Sequence, residues 1–305
     1  MRGRRTYRRL LPALLGVVAL GLIGAAPAAA YLRDFSTAGL SSVINSQTVK
    51  SVSVPCGGKL ALGAGGAVVS PFGNLGLNNL WVFFGQHNAF TGGAETDAIG
   101  ARWLVTGRAF CATQTAVPPG GAGAPYIKNV SWKNRTSAAN SNAFKAVAAT
   151  CPAGTTAIGG GGELIGPNAL AFDSVRRGGG GFRVRAHEVD STTAGWSVTA
   201  TAICANITSV PPGAQYVGGA PITGPDTGPG PIHTGTAAAT ASCSGGQKII
   251  GGGAYLTGVA PGSPPPADVV LTTSRPISNT TWLGRARDTD PPNQAYHLQV
   301  RAVCG

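Results

Sequence analysis

The chain has 305 residues, with 47 glycines, 22 prolines, 11% charged residues and a formal net charge of +12. Low charge, one Met and abundant Gly, Ala, Thr and Val argue against a helical protein. Basic residues are scattered, with Arg176-Arg177 and Arg183/Arg185 grouped. A nucleic-acid binder needs a dense basic stripe interleaved with aromatics, so nucleic acid is set aside as a partner.

The N-terminus reads as a secretory signal peptide over residues 1–30. Arg2, Arg4, Arg5, Arg8 and Arg9 form a basic region, Leu10 to Ala26 is apolar, and Ala28-Ala29-Ala30 is a cleavage signal before Tyr31. The apolar stretch is short, carries Pro12 and is followed by Pro27, which argues against a membrane anchor. The general secretory route is expected, with the twin-arginine route open through Arg4-Arg5 and Arg8-Arg9. No second apolar span follows, so a secreted protein without a membrane span is expected. Cleavage removes five arginines and leaves 18 basic against 11 acidic residues, a net of +7. That charge favours anionic cell-wall polymers non-specifically.

Beyond Tyr31 three cysteine pairs mark three copies of one unit, taken as 31–118, 119–212 and 213–305 and expected to pack as one domain. Each opens with a Cys and a glycine-rich strand: Cys56 with Gly63 to Gly66, Cys151 with Gly159 to Gly162, Cys243 with Gly251 to Gly253. Each closes on an aromatic eight residues before a second Cys: Trp103 and Cys111, Trp196 and Cys204, Tyr296 and Cys304. Tyr31 and Tyr126 lie equally far before their cysteines, as do Lys50 and Lys145. In the third unit Tyr216 precedes a Pro/Gly-rich stretch from Pro221 to Gly235. Val117 to Gly123 and Val210 to Gly213 read as linkers.

The opening strands alternate, with Val52 and Val54, or Val147 and Ala149, on the face of the Cys. A tight turn follows at Gly58, Gly154 or Gly246, then an aliphatic, Leu62, Ile158 or Ile250, leads into the glycines. Glycine inside a strand is costly unless something needs the space, so close backbone approach or an overlying aromatic is expected. No Lys/Ser/Thr helix follows, which excludes a phosphate loop. Middle strands are expected at Leu80 to Phe84, at Ala169 to Val175 and Phe182 to Ala186, and at Val269 to Ser274 and Trp282 to Arg287. The closing strands alternate with period two. Trp103, Val105, Gly107 and Ala109 define an inner face, as do Trp196, Val198, Ala200 and Ala202, and Tyr296, Leu298, Val300 and Ala302. The sum is an all-β fold of three antiparallel four- to five-stranded units.

Six cysteines in an exported chain read as three disulfides. Fifteen connectivities exist for six cysteines; repeat symmetry selects Cys56–Cys111, Cys151–Cys204 and Cys243–Cys304. Each such loop contributes roughly 4 kcal/mol by chain entropy. No C-x-x-C is present, so zinc and redox chemistry are set aside and no cofactor is expected.

The Cys151-Pro-Ala-Gly, Gly159-Gly160-Gly161 and Ala202-Ile-Cys204 elements resemble a repeat of exported actinobacterial proteins of unassigned role. Ala64 interrupts the first glycine run, and Ser244 replaces the proline in the third unit. Three disulfide-bearing β repeats are also similar in plan to the vitelline-membrane outer-layer proteins. That similarity implies a β-prism, three antiparallel sheets around a pseudo-threefold axis, and implies nothing about function.

For chemistry the sequence offers one acid pair per unit: Glu95/Asp97, Glu188/Asp190 and Asp288/Asp290. Two readings stand. Acids before the final strand cap a turn by accepting backbone N–H bonds, and recur because the unit was duplicated. Alternatively they form a threefold ligand contact, joined by His187 and Arg287 immediately before two of the pairs. A Ca²⁺ site needs six to eight oxygens that are not visible, so no metal is assigned. Taken alone, His187 reads as a surface histidine. G-x-S-x-G and H-E-x-x-H are both missing, and a threefold recurrence suits binding, where repetition adds avidity, better than catalysis. The expected function is a secreted, non-enzymatic, lectin-like module for cell-wall or environmental glycans. The alternative is a structural or cell-surface interaction protein without a small-molecule site; an extracellular hydrolase or protease inhibitor is the third reading.

Overall fold

The computed structural model describes residues 31–70, 74–82, 87–96, 100–115, 126–167, 170–178, 180–208, 235–244, 249–260, 263–289 and 294–304. Residues 1–30, both linkers, Tyr216, Gly246, Asp97 and Asp290 lie outside them. Every regular element among the described residues is a β-strand.

The first segment holds β1 (Tyr31–Ser41), β2 (Val49–Pro55), β3 (Leu60–Val69), β4 (Leu75–Val82), β5 (Asn88–Glu95) and β6 (Leu104–Thr115). The second holds β7 (Tyr126–Thr136), β8 (Phe144–Thr150), β9 (Thr156–Ile165), β10 (Leu170–Gly178), β11 (Gly181–Glu188) and β12 (Ser197–Thr208). The third holds β13 (Thr236–Ser242), β14 (Ile249–Gly258), β15 (Val269–Pro276), β16 (Thr281–Asp288) and β17 (Tyr296–Cys304). The first two segments therefore carry six strands each, where alternation predicts four or five. The additional strands are β1 and β7. Beyond Leu32, β1 is mostly exposed and has no apolar face to read. Ladder bonds to β6 hold it instead.

Within each segment the glycine strand pairs with the closing strand: β3 with β6, β9 with β12, β14 with β17. The other strands form a second group, β2-β5-β4, β8-β11-β10 and β13-β16-β15. Edges then pair across segments in a cycle: β4 with β9, β10 with β14, β15 with β3. A short β1–β7 pairing joins two of the resulting runs into a twelve-stranded sheet beside one of five strands, and neither closes on itself. Cys56 is bonded to Cys111, Cys151 to Cys204 and Cys243 to Cys304, with Cα–Cα distances of 5.5, 5.5 and 5.7 Å.

The glycine strands meet the need for close approach in both expected ways. Register slips at Leu62, Ile158 and Ile250 make each a bulge, and all three side chains are buried. A Cβ on Gly159 would overlap the Leu62 carbonyl oxygen, and one on Gly251 would fall 2.8 Å from that of Ile158. The Trp282 and Phe182 rings lie where side chains on Gly252 and Gly160 would stand. The core runs between the sheets and holds Trp103, Trp196, Trp282 and Tyr296, each at most 1% exposed.

Candidate functional site

The first acid of each pair ends an internal strand and turns inward. The backbone N–H groups of Glu95, Glu188 and Asp288 donate to the carbonyls of Thr48, Ala143 and Gly235 at 2.8–2.9 Å. All three side chains are buried. Glu188 accepts the Trp196 indole N–H at 2.8 Å and the Thr192 backbone N–H at 3.2 Å, tying the loop to the closing strand. Asp288 accepts the Gln294 backbone N–H. Glu95 Oε1 and the Trp103 indole N–H are both buried without a hydrogen-bond partner. Of the second acids, Asp190 is exposed, while Asp97 and Asp290 lie outside the described residues.

Beside these acids sits a group that sequence reading noticed only as a match in spacing. Lys50 and Lys145 are buried. The Lys50 ammonium donates to the carbonyls of Asn45, at 2.6 Å, and Trp103, and lies 4.4 Å from the Trp103 ring centroid. Lys145 donates to the Ala138 and Asn140 carbonyls at 3.0 Å and to the Asn140 side-chain oxygen, 4.7 Å from the Trp196 ring centroid. Burial pulls both ammoniums below the ordinary lysine value, opposed by Glu95 and Glu188 respectively. The third segment has Ala237 and Tyr296 at these positions. There the Tyr296 hydroxyl donates to the Gly235 carbonyl at 3.0 Å. These groups hold the loop entering each segment against its closing strand.

The sites beside the strand bulges differ. In β4, β10 and β15 one bulged residue slips the register: Asn78, Asp173 and Thr272. Next to the bulge, the partner strand carries Gly92, Arg185 or Arg285 nineteen residues before the closing cysteine, and Ala94, His187 or Arg287 two residues later. The first site is neutral. In the second, the fully buried Asp173 accepts from Arg185 Nε at 3.0 Å, and His187 Nδ1 lies 3.9 Å from its other oxygen. Arg185 also donates to the Leu256 carbonyl across the segment boundary. His187 is 4% exposed, not a surface histidine, and neither ring nitrogen has a hydrogen-bond partner. Asp173 belongs to no acid pair, so sequence reading passed over it; its signal is an acid inside an apolar strand, Leu170 to Val175.

In the third segment the bulge holds Thr272, and the cations remain without an acid. A groove of about 200 Å³ is lined by Arg275, Arg285, Arg287, Thr236, Thr273 and Leu283. Among the described residues the ion pairs involve Arg33, Arg185 and His187, and none involves these three arginines or the neighbouring Arg108. Burial first, then the Arg108 and Arg285 charges, draws the Arg275 guanidinium below its ordinary value. The Arg275 Nε is buried without a partner. A second groove, of about 280 Å³, lies beside Asn78 and Asn79. Its cation is Lys50, already engaged by carbonyls. Among the described residues no three His, Cys, Asp or Glu are placed to hold a metal ion. No known family model matches the chain, and no curated protein matches it in sequence.

Proposed function

We propose that the chain is an exported, non-enzymatic binding module for cell-wall or environmental glycans, lectin-like in plan. Its three segments are copies of one unit arranged as a β-prism about a pseudo-threefold axis. The cyclic edge pairing β4–β9, β10–β14, β15–β3 supports the prism. Three disulfides support export, and among the described residues no helix is long and apolar enough to cross a membrane.

One observation carries the binding reading. The polar groups beside the acids serve the frame in every segment, whereas the site beside the bulge is neutral, self-neutralised and buried, or cationic and open in turn. A common frame with one site varied between segments suits recognition. A catalyst instead needs reactive groups converging at one place. The test is retention of the purified, oxidised protein on insoluble cell-wall material and on a glycan array. Retention on a defined glycan class without its turnover is expected, together with loss of retention after reduction of the disulfides. No retention on any glycan surface would overturn the reading.

A further inference from the structure

We infer that the groove between β15, β16 and β3 is a specific site for a tetrahedral oxyanion, a phosphoryl or sulfuryl group carried on a glycan. The inference rests on the glycan-binding reading, and it names the chemistry of the site in the third segment.

The second segment supplies the internal comparison. At the same distance from the closing cysteine, Arg185 and His187 face an acid on the adjacent bulge. Arg285 and Arg287 occupy those positions in the third segment, and the bulge there is Thr272, which carries no charge. Arg275 adds a further guanidinium from β15, beside the bare backbone of Gly65, where a Cβ would fall 3.1 Å from the Arg275 Cα. Arg108 continues the row beyond β3, its guanidinium lying over Gly39. Like charges gathered without a counter-charge repel one another, and an external anion removes that cost. A guanidinium presents a planar fork of donors to phosphate or carboxylate oxygens. One fork satisfies a carboxylate's two oxygens; three forks suit a group with three or four. The groove is smaller than the ~300–1,000 Å³ of a pocket that encloses a whole small ligand. It fits one charged group, with the rest of the polymer running over the sheet. Thr236, Thr272 and Thr273 also line it.

The test is calorimetric titration of the oxidised protein with inorganic phosphate and sulfate. Two polymer arms follow, a glycan bearing phosphate monoesters and a sulfated glycan, with a uronate polymer as the carboxylate control. Saturable binding of phosphate or sulfate is expected, weakened by added chloride. Arg285→Gln should weaken it at least tenfold, about the worth of one hydrogen bond to a charged group. Thr272→Asp, which installs the acid found in the second segment, should abolish it while leaving the unfolding midpoint within a few degrees. Arg135→Gln, an exposed arginine on β7, removes the same bulk charge and should change nothing. Equal weakening by Arg285→Gln and Arg135→Gln, or tight binding by the Thr272→Asp protein, would overturn the site. A Thr272→Asp protein that loses phosphate yet stays on cell-wall material would reject the groove as the glycan's seat and leave the module intact. Saturable phosphate binding without retention on any glycan would support the groove and sink the module.

Discussion

Tyr296 shows how two linked replacements rearrange a buried network. Two segments satisfy the carbonyls of their entry loop with a lysine under a tryptophan; the third uses alanine and a tyrosine hydroxyl. Burial, then the neighbouring Asp288 charge, raises the Tyr296 phenol well above its ordinary value of 10.0. Above pH 10 the unfolded chain releases this proton and the folded chain keeps it, so the folded state binds more protons and stability falls as pH rises. Below pH 10 both states hold the proton and the group adds no pH dependence. Tyr296→Phe should cost about 1 kcal/mol at neutral pH through the lost hydrogen bond. Urea midpoints should then show its deficit relative to wild type shrinking above pH 10. A deficit that stays constant or widens would contradict a buried, neutral phenol. At the same scale, one acid of one pair behaves as a turn residue. Glu188 holds its own loop and its own tryptophan through both carboxylate oxygens, as turn chemistry requires.

At the scale of the element, the glycine strands are where sequence reading was sharpest. Glycine in a strand is justified only by what fills the missing side chain's space. At Gly159 that is the Leu62 backbone of another segment. Gly159→Ala should therefore destabilise by roughly 1–3 kcal/mol, the cost of overpacking against backbone that cannot rotate away. Gly195→Ala, whose Cβ would meet nothing closer than 3.8 Å, should stay within about 0.5 kcal/mol. Equal urea midpoints for the two variants would refute the close approach. The inner faces of β6, β12 and β17 were legible because period-two alternation survives in them. By contrast, β1 and β7 were not, since their strand character comes from a neighbour's ladder and not from their own pattern. The bulges at Asn78, Asp173 and Thr272 were hidden for a related reason. A register slip is a property of two strands, and the residue it expels can be of any type.

At the scale of the whole molecule, cyclic pairing makes every segment complete the next one's sheet. Spacing to the cysteines gave the three disulfides, but cross-segment edges such as β15–β3 leave no mark in a single segment. That pairing brings Arg275 on β15 beside Gly65 on β3 and, beyond it, Arg108 on β6. The cationic groove thus depends on two segments, and neither makes it alone. The pattern of charge across the three equivalent positions is what turns a scaffold into a candidate binder. The most direct measurement follows the arginine side-chain Nε–H resonances by NMR as inorganic phosphate is added to the oxidised protein. Saturable shifts confined to Arg275, Arg285, Arg287 and Arg108 are expected, with Arg185 held unmoved by Asp173. Uniform shifts across all arginines, or shifts at Arg185 as large as those of the groove arginines, would contradict the account.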